Sequence, residues 1–270
     1  MKWIGNLLIW FGLYNIYYIS IGRTQWTSSG ETFTTLAYAL PMIMAGAWML
    51  YEHEGGAQAE LEKAVEKLLD QNNKNPEKFY LYLRPFDSTN AYKITSSHLN
   101  VFSFEYWERD GFDDIERLIA RALRPTAYFI ALGKPNEHRG AARILTTEEN
   151  WQDAVSKLSK QAKLIFILPS FRPGTYWELK NLLRNGWLEK TIFFMPPTNN
   201  AWYSSDSLVV EDDWSKTQSA FLNLGLTLPD ATPEGALFKL ASPEGPMTLM
   251  PLPPPNPVAW KKTIQSLIDA

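Results

Sequence analysis

Cysteine is absent from this 270-residue chain, and histidine is nearly so, being confined to His53, His98 and His138. Without thiols there is no disulfide, no thiolate nucleophile and no zinc-finger or iron–sulfur ligand set, and the redox compartment is left undetermined. Three scattered histidines without HExxH spacing give no metal centre to expect. An excess of either charge is also missing: 26 Lys and Arg stand against 29 Asp and Glu, for a net charge of −3. That balance lacks the basic footprint of a nucleic-acid binder, so no nucleic acid is expected as a partner. Phosphate-binding fingerprints are lacking too. No GxGxxG follows a predicted strand, and Gly133-Lys134 is followed by Pro135 where a P-loop needs Ser or Thr. P-loop ATPase and ordinary dinucleotide dehydrogenase activities are thereby disfavoured.

What is present is uneven. Between Lys2 and Arg23 lie 20 uncharged residues, and between Glu31 and Glu52 lie 20 more. As helices rising ~1.5 Å per residue, each run is about 30 Å long, the thickness of a bilayer's hydrocarbon core. The expected element is a transmembrane hairpin over residues 1–54, with helices at about 3–22 and 32–51. Trp3, Tyr17, Tyr18 and Trp26 lie near the ends of the first run, where amphipathic rings favour the headgroup level. Asn6 and Asn15 weaken it as a spanning segment, while Pro41, Ala45, Gly46 and Ala47 allow a kink and close helix contact in the second. Two buried helices of a soluble core, or a cleaved signal peptide in the first run, are the competing readings. Lys2 precedes the first run, Arg23 alone is basic in the loop, and Lys63, Lys67, Lys74 and Lys78 follow the second. This bias predicts a multi-pass protein of the cell's inner membrane with its C-terminal domain in the cytoplasm.

From residue 55 to 76, Ala57, Leu61, Ala64, Val65, Leu68 and Leu69 recur at three- and four-residue spacing, which predicts an amphipathic linker helix. Three roles stay open for it: a dimerising stalk, an interfacial helix, or a helix packed on the next domain. Over 77–200, strands and helices alternate. Strands are expected at Phe79–Arg84, Thr126–Leu132, Lys163–Leu168 and Thr191–Met195. Helices are expected around Ile115–Leu123, capped by Asp113 or Asp114, and at Trp151–Ala162 and Thr175–Arg184. Alternation of this kind predicts an α/β fold with a doubly wound, mainly parallel sheet. Residues 201–270 form a C-terminal extension. A helix is expected from Asp212 or Asp213 to Leu222, Ala236–Leu240 and Met247–Met250 can pair as short strands, and Val258–Ile268 reads as a final helix. The prolines at 251, 253, 254, 255 and 257 suit a stiff connector or a peptide-recognition segment.

Ligands of open α/β sheets bind beyond the carboxyl ends of the strands. Three loops fall there: Arg84-Pro-Phe-Asp87, Gly133 to Gly140, and Ser170-Phe-Arg-Pro-Gly-Thr-Tyr-Trp-Glu178. In the last, Thr175 is the expected N-cap, which places Trp177 and Glu178 in the first helical turn, where the helix dipole favours an ionised carboxylate. Such a carboxylate can meet an oxocarbenium-like charge or attack an anomeric carbon as an N-glycosidic bond breaks. Equally, Thr175-x-x-Glu178 has the spacing of a capping box that only supports the helix.

The stretch from Phe79 to Pro197 resembles Toll/interleukin-1 receptor (TIR) domains, in particular bacterial membrane-anchored TIR-like proteins. Leu83-Arg84 resembles the family's first-strand edge. Ser170 to Leu179 is similar to its motif of Ser, aromatics, Trp and Glu-Leu, with Trp177 and Glu178 adjacent where the family commonly separates them by two residues. The same residues resemble nucleoside 2-deoxyribosyltransferases, whose Gly-Thr-x-x-Glu is matched by Gly174-Thr175-Tyr176-Trp177-Glu178 and whose first-strand Pro and Phe are matched within Leu83-Arg-Pro-Phe86. The residue pattern Gly-x-Ala that follows in that family is replaced by Lys180-Asn-Leu-Leu183.

Both resemblances imply a TIR/flavodoxin-like fold and a glutamate that acts on an N-glycosidic bond, with NAD or a related nucleotide as substrate and no cofactor. Carried onto this chain, Glu178 is the catalytic candidate. Arg84 is then a contact to phosphate or ribose, Phe86 and Trp177 stack on a base, and Asp87 and Ser170 bind ribose hydroxyls. Arg143 and Arg139 are secondary phosphate candidates. The resemblance further implies signalling in bacterial defence and self-association. It also admits a rival in which the module is a catalytically silent, membrane-bound scaffold that works by oligomerising.

Overall fold

A computed structural model describes residues 2–22, 37–49, 59–65, 79–84, 92–94, 115–124, 128–133, 140–205 and 210–270. The chain divides into two compact units, Met1–Glu60 and Leu61–Ala270.

In the first unit, α1 (Lys2–Gly22) is followed by a second helix, α2, over 37–49. Small residues set how closely they pack. A Cβ on Gly12 would lie 2.5 Å from Ile43 Cγ1 and 2.9 Å from the Ala39 carbonyl oxygen, and one on Gly46 would lie 2.5 Å from the Gly5 carbonyl oxygen. Ile9 and Ala39 are buried, whereas Leu7, Trp10, Phe11, Leu40, Met44 and Trp48 are exposed. The side-chain amide of Asn15 donates to the Phe11 carbonyl at 2.6 Å, which satisfies that polar group within its own helix. Among the described residues, no helix is long and apolar enough to cross a membrane. At 21 residues α1 has the length, but Asn6, Asn15 and five Trp or Tyr rings lower its apolarity. A helical hairpin therefore occupies the expected place, while two spanning helices over 3–22 and 32–51 are not supported.

A short helix, α3, runs over 59–65, across the division of the chain at residue 60, and its Val65 is buried in the core of the second unit; the remainder of the predicted 55–76 helix lies outside the described residues. The strands are β1 (Phe79–Leu83), β2 (Tyr92–Ile94), β3 (Tyr128–Leu132), β4 (Ala142–Ile144), β5 (Leu164–Ile167), β6 (Thr191–Met195), β7 (Tyr203–Ser205), β8 (Ala236–Leu240) and β9 (Met247–Pro251). The helices are α4 (Ile115–Leu123), α5 (Trp151–Gln161), α6 (Pro173–Arg184), α7 (Val210–Leu222) and α8 (Pro257–Asp269). Seven strands make one sheet in the order β4-β3-β1-β5-β6-β8-β9, and β2 pairs with β7 in a separate antiparallel ribbon. Strands β4 to β6 in that order are parallel, and β8 and β9 are antiparallel additions.

Burial explains the layering. Every residue of β1, β5 and β6 is buried, as expected of parallel strands covered on both faces. Alternate side chains feed two cores. Leu81, Leu83, Ile165, Ile167 and Phe193 meet α5, α6 and α7 on one face. Tyr80, Tyr82, Phe166, Ile192 and Phe194 meet α4 and α8 on the other. The tail is part of this body. Strand β8 hydrogen-bonds β6, and Trp260 of α8 is fully buried, its indole N–H donating at 2.8 Å to the Tyr203 hydroxyl, which donates in turn to the Pro253 carbonyl at 2.6 Å. The proline run thus carries a buried acceptor, which suits the connector reading.

Because β3 lies on one side of β1 and β5 on the other, the strand order reverses between β1 and β5. Such a reversal opens a crevice at the carboxyl ends of the two strands, the usual ligand position in open α/β sheets. Arg84 follows β1 and Leu168-Pro169-Ser170 follows β5 at this point, where the Leu168 N–H donates to the Leu83 carbonyl at 2.9 Å.

Candidate functional site

The segment after β5 is held from three sides. Residues 164–170 are all buried, the Ser170 hydroxyl accepts from the Arg172 N–H at 3.3 Å, and the Phe171 N–H donates to Thr217 Oγ1 of α7 at 3.2 Å. Helix α6 then starts at Pro173, with Arg172 as N-cap in an extended conformation and no side-chain cap. The expected cap at Thr175 is not formed. Proline suits the first helical position because its φ is preset and its missing N–H would have no intrahelical partner there. Thr175 lies inside the helix and is buried, so the Thr175-x-x-Glu178 capping box does not exist.

Moving the N-cap three residues earlier, from Thr175 to Arg172, carries Glu178 from the first turn into the second, beyond the free N–H groups and the strongest part of the dipole. Its surroundings act in the opposite sense to that expected. Glu178 is 5% exposed, and burial raises its carboxyl pKa from 4.5 to about 8. Oε2 is buried without a hydrogen-bond partner among the described residues. A buried polar group left unpartnered costs about 1–3 kcal/mol and is uncommon in native folds. It is also the kind of strained, perturbed group that clusters at functional sites.

The neighbouring residues divide. Ser170 lies at the same strand end, buried. Trp177 is half-buried, its ring set edge-on against Trp151 with centroids 5.0 Å apart, and Tyr176 packs against Phe221 of α7. Trp177 is thus engaged in helix packing between α5 and α6. Phe86, Asp87 and Arg139 lie outside the described residues.

Arg84 and Arg143 come together, although not on Glu178. Both pair with Glu116 of α4: Arg84 Nε lies 3.4 Å from Oε2, and Arg143 Nη2 lies 2.6 Å from Oε1, which also accepts the Ala141 N–H at 3.1 Å. Strand alternation explains the separation. Leu83 faces the α5–α6 side, so Arg84 faces the α4 side. Glu116 had not stood out in the sequence. Its one signal is an acid beside the apolar stripe Ile115, Leu118, Ile119, Ala122 and Leu123, and it is 4% exposed. Among the described residues no group of three or more His, Asp or Glu could hold a metal ion.

No family model, no curated protein and no solved structure matches the chain.

Proposed function

We propose that this protein is a membrane-associated, TIR-like α/β enzyme that cleaves the N-glycosidic bond of NAD or a related nucleotide, with Glu178 acting at the glycosidic carbon. The observation that carries the proposal is a buried carboxyl, one oxygen of which has no hydrogen-bond partner among the described residues, on the helix that follows β5, beside the reversal of strand order. The resemblance of Ser170 to Leu179 to the TIR motif supplies the substrate class.

The chemistry follows from the environment. Burial keeps Glu178 protonated at neutral pH, with a pKa of about 8. A cationic N-glycoside placed beside it favours the ionised form, the carboxyl proton passing to solvent as the substrate binds, because an opposite charge within ~4–6 Å lowers a carboxyl pKa. As the C1′–N bond breaks, its electron pair leaves with the nicotinamide, which becomes neutral. The carboxylate then faces the positive charge developing at C1′, in a desolvated site where that attraction is strong. Water adds at C1′ and its proton passes to solvent or to the carboxylate.

The hairpin supports the membrane part of the proposal. Its small residues face inward and its large apolar residues outward, the arrangement of helices packed within lipid rather than within a soluble core. In this account the hairpin seats the protein at the inner membrane, the α/β unit lies in the cytoplasm, and self-association in the bilayer switches on a defence signal. The rival scaffold, without catalysis, has one observation in its favour: Trp177 is engaged by Trp151 and Arg84 by Glu116.

The test is to incubate the purified full chain, reconstituted in vesicles, with NAD, nicotinamide mononucleotide and a deoxynucleoside, and to identify products by mass spectrometry. Release of the free base, abolished in Glu178→Gln, is expected. Absence of turnover with every substrate, including after enforced clustering, overturns the enzyme in favour of the scaffold.

A further inference from the structure

Arg143 is enclosed more completely than its pairing with Glu116 explains. Its side chain is 0% exposed, Nη2 is used by Glu116, and Nε and Nη1 are buried without a partner among the described residues. A charged donor buried without its hydrogen bond bears its full desolvation cost. Arg84 Nε also lies 3.4 Å from Glu116 Oε2, so two guanidiniums converge on that carboxylate. A buried ionic group of this kind holds only where its geometry and remaining hydrogen bonds offset desolvation, and here two donors are left over.

Sheet register and a glycine place these donors. Arg143 on β4 is level with Ala131 on β3, which is level with Tyr82 on β1, so a small side chain lies between Arg143 and Tyr82, and Arg84 follows two residues after Tyr82 on the same face. Gly140 has φ +139°, and a Cβ there would lie 3.3 Å from the Arg117 N and from Glu116 Oε1. This brings the Gly140–Ala141 backbone onto the first turn of α4, where N–H groups and the helix dipole favour negative charge. All of these groups lie toward the carboxyl ends of β1 and β3, the edge that also carries Glu178.

We infer that the Arg84–Glu116–Arg143 cluster is a phosphate subsite, in which Glu116 orients the two guanidiniums and the spare donors of Arg143 take phosphate oxygens. Guanidiniums suit this ligand because their planar array of donors matches phosphate oxygens. The subsite rests on the N-glycosidic proposal and narrows it: the substrate is a nucleotide bearing at least one phosphate, and a free nucleoside lacks the group this cluster binds. Glu116 is a positioning residue. Because the cluster is enclosed, neighbouring side chains must part as the anion enters, so association is slower than diffusion allows.

The experiment is isothermal titration of the full chain in mild detergent with inorganic phosphate and with pyrophosphate, against chloride at equal ionic strength. Saturable binding at one site is expected, weakened at least tenfold in Arg143→Lys. Arg84→Lys, at the most exposed member of the cluster, is the second variant should Arg143→Lys fail to fold, and it is expected to weaken binding as well. Absence of saturable binding to either anion, or wild-type affinity in a folded lysine variant, overturns the subsite. Phosphate binding without base release would leave the subsite standing and sink the N-glycosidic proposal; base release with unaltered phosphate affinity in the variants would do the reverse.

Discussion

Replacing Glu178 by glutamine removes a charge that the folded protein must otherwise bury at high pH. The carboxyl titrates near 4.5 when unfolded and near 8 in the fold, with desolvation as the cause. The native state therefore holds the proton more tightly than the unfolded chain, and between these two values it binds more protons. Stability consequently falls as pH rises through that window, by up to ~1.4 kcal/mol per pH unit. The loss reaches about 3 kcal/mol at pH 7 and about 5 kcal/mol above pH 8, while below pH 4 this group makes no difference. Glutamine fills the same volume without a charge, so Glu178→Gln is expected to match the wild type at pH 4 and to exceed it by several kcal/mol at pH 8.5. Urea midpoints of the full chain in mild detergent, followed by far-UV circular dichroism from pH 4 to 9, measure this directly. Parallel pH profiles for the two proteins would refute the reasoning, because they would mean that Glu178 is solvated or paired in the folded state. A stabilised variant that has also lost turnover would identify the carboxyl as a group kept at the expense of stability.

Other substitutions test the fold. Gly235 has φ +72°, and a Cβ there would lie 2.8 Å from Pro197 N and 2.9 Å from the Met195 carbonyl oxygen, whereas Gly186 has φ +70° and open space. Gly186→Ala is expected to cost about 1 kcal/mol from backbone strain alone, and Gly235→Ala clearly more, as read from denaturation midpoints. Phe166→Ala, fully buried in the central strand and edge-on to Phe129, is expected to cost about 3–5 kcal/mol. Tyr203→Phe leaves the Trp260 indole N–H and the Pro253 carbonyl unpartnered and is expected to cost about 2–4 kcal/mol in the same assay. Gly46→Leu drives a side chain into the Gly5 carbonyl and Ile9, so it is expected to part α1 from α2. Since the chain has no native cysteine, paired cysteines introduced on the two helices report that separation by loss of cross-linking.

Much of the sheet was legible in the sequence because buried parallel strands leave continuous apolar runs. Leu164–Ile167 and Thr191–Met195 lie where the runs placed them, and the Ala236–Leu240 and Met247–Pro251 pair forms as expected. That this pair extends the main sheet through β6 was not legible, since strand partnership across 40 residues leaves no periodic mark. Strand β4 was missed because three residues, Ala142-Arg-Ile144, are too few to show alternation. At α6 two start signals competed, and Pro173 prevailed over Thr175, which removed the capping box and moved Glu178 three residues further from the helix start, into a buried position. The ion pairs of Glu116 with Arg84 and Arg143 join residues 32 and 27 apart in the chain, and only the packing of α4 over Ala131 brings them together.

Nicotinamide release from NAD tests the central claim most directly. The full chain and its Glu178→Gln variant would be compared side by side in lipid vesicles, at matched density and with enforced clustering. The account predicts release by the wild type and none above background by the variant, although the variant remains folded and is the more stable of the two at pH 8. Equal release by both proteins, or none by the wild type under any of these conditions, would contradict it.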